Sequence, residues 1–506
     1  MLNLKNLCMP FHSVHKNLKI MKMKTMLRLI VLFALFSCQK DDDSATVSDV
    51  LVQKIEIQGT DITSGINGQM TAKITPDNAT DKSVSWKVSD AAIAEISTSG
   101  LITAKKNGTI TITATAKDKS TVAATKIINI TSFSVILVAD YEVSNVTELT
   151  TALTKVKAGE TIVLNGGTYA MSAKITITTS GTSDKVIILK AKDGAPRPKL
   201  DFSVMTENSA NQGIVLSADY WHIKGIDIYK AGDNGMQVKG SNNIIEFMTF
   251  SECSDSGLQL DNGAANNTIL NCDSYFNADS TLENADGFAC KLNAGTGNKF
   301  IGCRAWQNLD DGWDGYLRGT DNISTTYQNC WAVKNGYLKT GAKGAGDGNG
   351  FKTGGSDDKL LKHNAKYTNC IAAGNVADGF DHNSNRGEVT IYNCSAYENG
   401  RNYSFSSTSP LVKLILKNSN VLGAYGTTLA DVVDVTNNSW QNGITVTADD
   451  FNSIDYTELL GARKTDGSLP DVTFFHLKAD SDMINKGLNV GLPFNGTLPD
   501  LGVFEF

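Results

Sequence analysis

A short pattern of one polar residue, one glycine and one bulky apolar residue occurs six times between positions 234 and 380. The copies are Asn234-Gly235-Met236, Ser256-Gly257-Leu258, Asp286-Gly287-Phe288, Asp311-Gly312-Trp313, Asn349-Gly350-Phe351 and Asp378-Gly379-Phe380. Their glycines are 22, 30, 25, 38 and 29 residues apart, which is the range for solenoid coils with loops of variable length. After each glycine the first residue is apolar and the second is mostly polar, as in a strand with one buried face.

A second column of positions repeats in the same register. Its members are Ile226, Phe247, Cys272, Cys303, Cys330, Cys370 and Cys394. Four of the residues that directly precede them are asparagines, namely Asn271, Asn329, Asn369 and Asn393. We expect the apolar column to fill the interior of a parallel coil and these asparagines to hydrogen-bond from coil to coil. Because no long helical pattern interrupts this region, the sequence predicts an all-β fold, a right-handed parallel β-helix over residues 139–506.

Residues 50–133 alternate apolar and polar positions in short runs separated by turn-forming residues, which predicts a small β-sandwich. The runs Val84-Ser85-Trp86, Gly100-Leu101-Ile102-Thr103-Ala104 and Gly108-Thr109-Ile110-Thr111 resemble a group 2 bacterial immunoglobulin-like domain. A spacer is the role we expect for it, and carbohydrate binding is the alternative.

The first 38 residues contain an export signal. Met21 to Cys38 has a basic start and a short apolar stretch, and Leu35-Phe36-Ser37-Cys38 resembles a lipoprotein cleavage box with Cys38 as the lipidated residue. Translation from Met21 or Met23 would give the same signal. The acidic run in residues 39–49 favours an outer-membrane lipoprotein exposed at the cell surface, although a solvated linker would have the same composition.

The composition agrees with an exported, multi-domain protein. The chain has 506 residues, a net charge of -7 and a pI near 5.5, which argues against nucleic acid as a partner. Five of its nine cysteines lie in the inward column, where we expect buried small side chains rather than disulfides. We expect a monomer that contacts the membrane only through its lipid anchor.

Four aspartates converge in the predicted coil. Asp286 and Asp311 directly precede their glycines, Asp310 lies beside Asp311, and Asp314 lies two residues after its glycine. Neighbouring coils are about 4.8 Å apart, so these carboxylates should be close together. Turn formation would explain Asp286 and Asp311 but not the other two. The cluster therefore predicts a cation site, and its oxygen ligands favour calcium over zinc.

Lys352 stands in the same outward column as Asp314, one coil further on. A nearby divalent cation disfavours the protonated form of a lysine and would make it a usable base. A cation with such a lysine suits β-elimination on a uronic acid polymer, because the cation offsets the charge that develops when the C5 proton is removed. The products would carry a 4,5-unsaturated sugar.

Three other residues could face an anionic chain. Lys291 and Tyr316 come four residues after their glycines, and Arg318 comes six after. Each is a candidate for substrate binding or an ordinary surface residue. Trp313 shares its column with Phe288 and Phe351, so we expect it in the core rather than under a sugar.

Three runs closely resemble the family 9 polysaccharide lyases. They are Asn284-Ala285-Asp286-Gly287-Phe288-Ala289-Cys290-Lys291-Leu292, Asp310-Asp311-Gly312-Trp313-Asp314 and Asp347-Gly348-Asn349-Gly350-Phe351-Lys352-Thr353-Gly354-Gly355. The resemblance implies calcium binding by the four aspartates and catalysis by Lys352. It implies polygalacturonate as the substrate, with rhamnogalacturonan or another uronic polymer as the alternative. A longer glycine-rich loop, Asn335 to Gly346, departs from the family and affects the expected shape of the sugar subsites.

Two other functions would use a similar fold. A β-helix glycoside hydrolase has clustered aspartates but needs neither a metal nor a lysine. A non-catalytic surface adhesin or glycan-binding protein would explain the anchor and the solenoid, but not Lys352 beside the aspartates. The residues therefore favour a lyase.

Overall fold

The computed structural model describes residues 49–63, 67–131 and 139–506. The predicted signal peptide, with Met21, Met23 and Cys38, and the linker up to position 48 lie outside the described residues. The chain divides into two compact units, Met1–Val135 and Ile136–Phe506. Among the described residues, no helix has the length and apolar character needed to cross a membrane.

The first unit consists of antiparallel strands around its own core. Alternating residues of the strand Gly108–Ala116 are buried, as its sequence pattern predicts. Its core includes Ile57, Ile102, Ile112 and Ile128. The strands are Lys54–Gln58, Asn67–Gln69, Thr71–Thr75, Val84–Val88, Ala94–Ile96, Leu101–Ala104, Gly108–Ala116 and Ala123–Ile130.

The second unit is a parallel β-helix whose successive coils contribute one strand to each of three sheets. The first sheet contains Tyr141–Val143, Thr161–Leu164, Ile187–Ala191, Trp221–Lys224, Ile244–Glu246, Thr268–Leu270, Asn298–Ile301, Ile323–Gln328, His363–Thr368, Glu388–Tyr392, Lys413–Lys417 and Val432–Thr436. The second contains Gly167–Ala170, Pro198–Asp201, Asp227–Tyr229, Thr249–Ser251, Asp273–Tyr275, Arg304–Trp306, Trp331–Val333, Ile371–Ala373, Ser395–Tyr397 and Asn420–Leu422. The third contains Ile175–Ile177, Ile214–Leu216, Met236–Val238, Leu258–Leu260, Phe288–Cys290, Trp313–Asp314, Phe351–Lys352, Asp378–Asp381, Arg401–Phe405 and Gly426–Thr428.

Stacked side chains fill the interior of the β-helix. In the third sheet the residues after the last four repeated glycines form a continuous aromatic stack, with ring centroids 5.1 Å apart for Phe288 and Trp313, 4.8 Å for Trp313 and Phe351, and 5.0 Å for Phe351 and Phe380. Trp313 is 1% exposed, which confirms its predicted place in the core. The five cysteines of the inward column are buried and free, also as predicted.

The longest asparagine ladder near the repeated glycines runs through a different column from the predicted one. Asn271, Asn329 and Asn369 occupy left-handed turn positions, with φ of 52°, 52° and 53°, and the described residues show no hydrogen bond between their side chains. The side-chain ladder is instead formed by five buried or half-buried asparagines, with links of 2.7–3.0 Å: Asn277, Asn308, Asn335, Asn375 and Asn399. The prediction is confirmed at Asn393, whose Oδ1 accepts a 3.1 Å hydrogen bond from Asn418 Nδ2 on the next coil. It is wrong at Asn271, Asn329 and Asn369, because a turn position that favours asparagine looks the same in a sequence as a ladder position.

Two segments flank the coils. The α-helix Val146–Lys155 was not predicted; its N-cap Asn145 accepts a hydrogen bond from the amide of Glu148, and it buries Leu149 and Ala152. Near the other end are the 3-10 helices Ala448–Asp450 and Tyr456–Leu460. Apolar residues of this C-terminal region, such as Phe474, pack on the outer side of the second sheet against Trp331 and Ile371.

Candidate active site

The candidate residues lie on or directly before strands of the third sheet. Phe288 pairs in register with Trp313, and the amide of Gly287 donates a 2.8 Å hydrogen bond to the carbonyl of Asp311. On the next coil Asp314 pairs with Lys352. The register of the coils thus brings Asp286 beside Asp311 and Asp314 beside Lys352, as the alignment of glycines predicts.

Three of the four aspartates form one compact group. Asp286, Asp310 and Asp311 are buried and can place one carboxylate oxygen each within 4.8 Å of the others. Asp314 lies outside this group, and its Oδ2 is 3.4 Å from Lys291 Nζ. The structure therefore brings together three predicted ligands and places the fourth at their edge.

Neighbouring polar groups orient these carboxylates. Asp286 Oδ2 accepts hydrogen bonds from Ser256 Oγ at 3.0 Å and from Lys291 Nζ at 2.7 Å. Asp311 Oδ1 accepts two from Asn349, one from its amide at 2.8 Å and one from Nδ2 at 2.9 Å. Among the described residues, Asp311 Oδ2 is buried and accepts no hydrogen bond, although Lys352 Nζ lies 3.2 Å from it.

The electrostatics of the cluster favour a bound cation. Burial and then the charge of Asp286 raise the pKa of Asp310 to about 7. Burial, together with Asp310 and Asp286, raises the pKa of Asp311 well above its ordinary value despite the nearby Lys352. Burial also opposes ionisation of Asp314, but Lys352 and Lys291 outweigh it and lower its pKa. Buried carboxylates with an unsatisfied oxygen fit a hard divalent cation with oxygen ligands.

Lys352 is held between two carboxylates. Its Nζ lies 2.9 Å from Asp347 Oδ2 and 3.2 Å from Asp311 Oδ2, and its side chain is 11% exposed. Burial would lower the pKa of Lys352, but Asp311, Asp314 and Asp310 outweigh it and raise the pKa well above its ordinary value. The neighbouring aspartates thus oppose the lowered pKa that the sequence predicts for Lys352. That lowered pKa requires a cation that neutralises these aspartates.

The three predicted substrate-binding residues have different surroundings. Lys291 is 16% exposed and bridges Asp286 and Asp314. Tyr316 donates a 2.6 Å hydrogen bond from its hydroxyl to Asp357 Oδ1. Arg318 is 60% exposed, with its Nε 3.5 Å from Asp357 Oδ2. Lys291 therefore belongs to the carboxylate cluster, whereas the side chains of Tyr316 and Arg318 contact Asp357, and Tyr316 reaches Asp314 only through its backbone amide, at 3.0 Å.

Sequence reasoning did not assign roles to Asp347, Asn349 and Ser256. Asn349 and Ser256 occupy the same column as Asp286 and Asp311, so the repeat itself carried a signal for them. Asp347 follows the long glycine-rich loop and had no column to mark it. Its amide donates to Asp310 Oδ1, and a Cβ at Gly346 would lie 2.8 Å from that oxygen. A glycine at position 346 thus lets the loop approach the cluster closely.

Comparisons with known proteins agree with this architecture. The model of the Pel9A-like, right-handed beta helix region matches residues 139–420, and that of the group 2 bacterial Ig-like domain matches residues 51–127. Pectate lyase L of Dickeya dadantii (strain 3937) is 37% identical over 371 residues, which cover 70% of this chain and 84% of that protein.

Two polysaccharide lyases are among the solved structures that resemble the chain. The crystal structure of pectate lyase Pel9A has a TM-score of 0.65 and 37% identity, with 70% of this chain and 90% of that chain covered. A rhamnogalacturonan lyase structure has a TM-score of 0.60 and 27% identity, with 67% and 97% covered. The family match favours a lyase over the two alternative functions, a non-catalytic adhesin and a glycoside hydrolase. The chain therefore belongs to the Pel9A-like right-handed β-helix family, the family 9 polysaccharide lyases, and is a polysaccharide lyase with a group 2 bacterial immunoglobulin-like domain.

Proposed function

We propose that the protein is a calcium-dependent lyase that cleaves an acidic polysaccharide, polygalacturonate, by β-elimination with Lys352 as the base. The observation that carries this proposal is the position of Lys352 Nζ, 3.2 Å from Asp311 Oδ2 at the edge of a buried three-carboxylate group. The names of the similar pectate lyases support the substrate.

Asp286, Asp310, Asp311 and Asp314 would hold the calcium ion. Bound calcium would supply positive charge for the substrate carboxylate and so stabilise the anion formed at C5. The chain's own contribution is to keep these carboxylates fixed, through Asn349 on Asp311 and Ser256 on Asp286. Preorganised ligands need little rearrangement when a substrate arrives.

Lys352 Nζ would accept the C5 proton, after which the C4 glycosidic oxygen leaves. Asp347 is 63% exposed, so its contact with Lys352 can be exchanged for solvent or substrate at little cost. Release of that contact and neutralisation of Asp311 would both favour the unprotonated lysine. Lys291 would balance the charge of Asp286 and Asp314 in the same region.

A rhamnogalacturonan backbone is the second candidate substrate. The likeness to a rhamnogalacturonan lyase structure, at 27% identity, favours this alternative over other polymers. The long loop that ends next to Asp347 would help decide between them, because it lies beside the cluster.

Incubation of the purified protein with polygalacturonate and calcium tests the proposal. We expect the ultraviolet absorbance of a 4,5-unsaturated product to increase with time. A parallel incubation with rhamnogalacturonan tests the second candidate. Saturated reducing ends without that absorbance would contradict the elimination mechanism.

We also propose that the protein is an exported lipoprotein at the outer membrane, exposed on the cell surface. The lipoprotein box ending at Cys38 and the acidic run after it support this proposal. Metabolic labelling with a fatty acid, compared between the native protein and Cys38→Ser, would test it.

A further inference from the structure

Arg401 lies on the same sheet as Lys352, two coils further along the axis of the β-helix. In the third sheet Lys352 pairs with Asp381, and Asp378 of that strand pairs with Arg401 of the next. Neighbouring strands are about 4.8 Å apart, so Arg401 stands about 10 Å from the Lys352 strand along the helix axis. Arg401 also takes the position that Asp286, Asp311, Asn349 and Asp378 take on earlier coils.

A buried carboxylate holds one edge of the Arg401 guanidinium. Its Nε lies 2.7 Å from Asp378 Oδ1 and its Nη2 lies 2.7 Å from Asp378 Oδ2. The Asp378 side chain is 6% exposed, whereas that of Arg401 is 62% exposed. Within residues 139–506, Arg401 Nη1 makes no hydrogen bond. The guanidinium is therefore fixed in orientation with its other edge available to a ligand.

The support of Arg401 is connected to the cation cluster. The Asp378 amide donates a 3.1 Å hydrogen bond to Asn349 Oδ1, and Asn349 Nδ2 donates to Asp311 Oδ1. Asn349 thus contacts both the candidate metal ligand Asp311 and Asp378, the residue whose carboxylate orients Arg401.

An exposed arginine with this geometry recognises carboxylates. The planar guanidinium can bind a second carboxylate with its free edge, and a preorganised fork loses less entropy in doing so. A uronic acid polymer that passes Lys352 carries carboxylates on neighbouring sugars. Arg401 thus provides a positively charged side chain for a sugar carboxylate that does not take part in the elimination.

We propose that Arg401 binds a uronate carboxylate of the polysaccharide at a subsite two strands from Lys352. This inference rests on the proposed function, because it assumes that the substrate crosses the third sheet at Lys352. Arg401 is then a substrate-binding residue that favours a free carboxylate over its methyl ester at that subsite.

The variant Arg401→Gln tests the inference by steady-state kinetics on polygalacturonate. Loss of a charge-assisted hydrogen bond of about 1.5–3 kcal/mol should raise KM about 10- to 150-fold, with a much smaller change in kcat. The preference for de-esterified over partly methyl-esterified substrate should decrease, and Arg401→Lys should restore part of it. Arg386→Gln is the control, because Arg386 also pairs with an aspartate, Asp431, but lies in the connection between Asp378–Asp381 and Glu388–Tyr392, outside the third-sheet strands. Its kinetics should match those of the native protein.

A second variant separates binding from folding. Arg401→Gln leaves the buried Asp378 without its partner, whereas Asp378→Asn combined with Arg401→Gln removes that charge as well. The double variant should fold normally and keep the raised KM. An unchanged KM and an unchanged ester preference in a folded double variant would overturn the inference.

Direct binding distinguishes failure of this inference from failure of the proposed function. We would titrate oligogalacturonate into Lys352→Arg protein with and without Arg401→Gln. Affinity should fall about tenfold or more when Arg401 is replaced. Equal affinities would reject the Arg401 subsite even if the native protein forms unsaturated products. A loss of affinity would support it even if no elimination is detected.

Discussion

Lys352 Nζ lies 3.2 Å from Asp311 Oδ2, so the candidate base and a candidate cation ligand form an ion pair. Each partner changes the protonation of the other. Asp311 raises the pKa of Lys352, and a cation bound by Asp311 would compete with the lysine for the same oxygen. Under the proposed function, cation binding and activation of the base would therefore be coupled through one carboxylate.

The first prediction concerns Lys352→Arg. Arginine keeps the positive charge but does not release its proton near neutral pH, so turnover should fall by on the order of 10²–10⁴-fold. Calcium affinity and thermal stability should change little. Initial rates from ultraviolet absorbance, with calcium titrations, would check this.

Lys366→Arg is the matched control, because Lys366 lies on the first sheet. Its turnover should equal that of the native protein. An active Lys352→Arg enzyme would show that the lysine only binds substrate, and the base would then be sought at Lys291 or Arg318.

The second prediction concerns stability and pH in a chelator. The folded pKa of Asp310 is about 7 against an ordinary value of 3.8. Because the pKa of Asp310 is raised in the folded state, Asp310 contributes fully to the free energy of unfolding below pH 3.8. This contribution is lost as the pH rises towards 7. The melting temperature of chelated protein should decrease across this window, and calcium should restore it most at the high end.

Asp310→Asn should reduce that pH dependence, and the raised pKa of Asp311 should leave a part of the same sign. Asp434→Asn, on the first sheet, should leave the pH dependence unchanged.

Chelation should also abolish turnover while the β-helix stays folded, because the core of the β-helix does not depend on the ion. Full activity after exhaustive chelation would exclude calcium from the mechanism.

The third prediction concerns Asp314→Asn. Asp314 lies at the edge of the three-carboxylate group, so its loss should lower calcium affinity by about tenfold or more without destroying the site. High calcium should recover much of the activity. A defect that no calcium concentration relieves would assign Asp314 to substrate binding instead.

The fourth prediction concerns the asparagine ladder. Asn335 Oδ1 accepts hydrogen bonds from Asn308, and its Nδ2 donates to Asn375 Oδ1. Asn335→Ala should reduce the free energy of unfolding by about 1–3 kcal/mol for each buried group left unpaired. Asn399→Ala, at the half-buried end of the ladder, should cost less. Denaturant unfolding of the two variants would compare them.

The sequence predicted the repeat well and its local details less well. Aligning the glycines placed Asp286, Asp311 and Lys352 on adjacent coils. The alignment works because equivalent residues of successive coils pair directly with one another in a parallel β-helix. It did not predict the helix Val146–Lys155, which is short and precedes the repeats. The role of Asp347 was also missed, because a contact made by a loop of irregular length has no periodic signal.

The asparagine ladder has a consequence for how such enzymes diversify. Asn308 Nδ2 donates a 3.0 Å hydrogen bond to Asn335 Oδ1, 27 residues further along the chain. Asn335 Nδ2 donates one of nearly the same length, 2.9 Å, to Asn375 Oδ1, which is 40 residues further along. The spacing of the coils is thus set by stacking and not by the number of residues in the connecting loops. Insertions can accumulate at the corners without displacing the candidate catalytic groups, so sugar preference can change by loop replacement while the chemistry of the site is inherited intact.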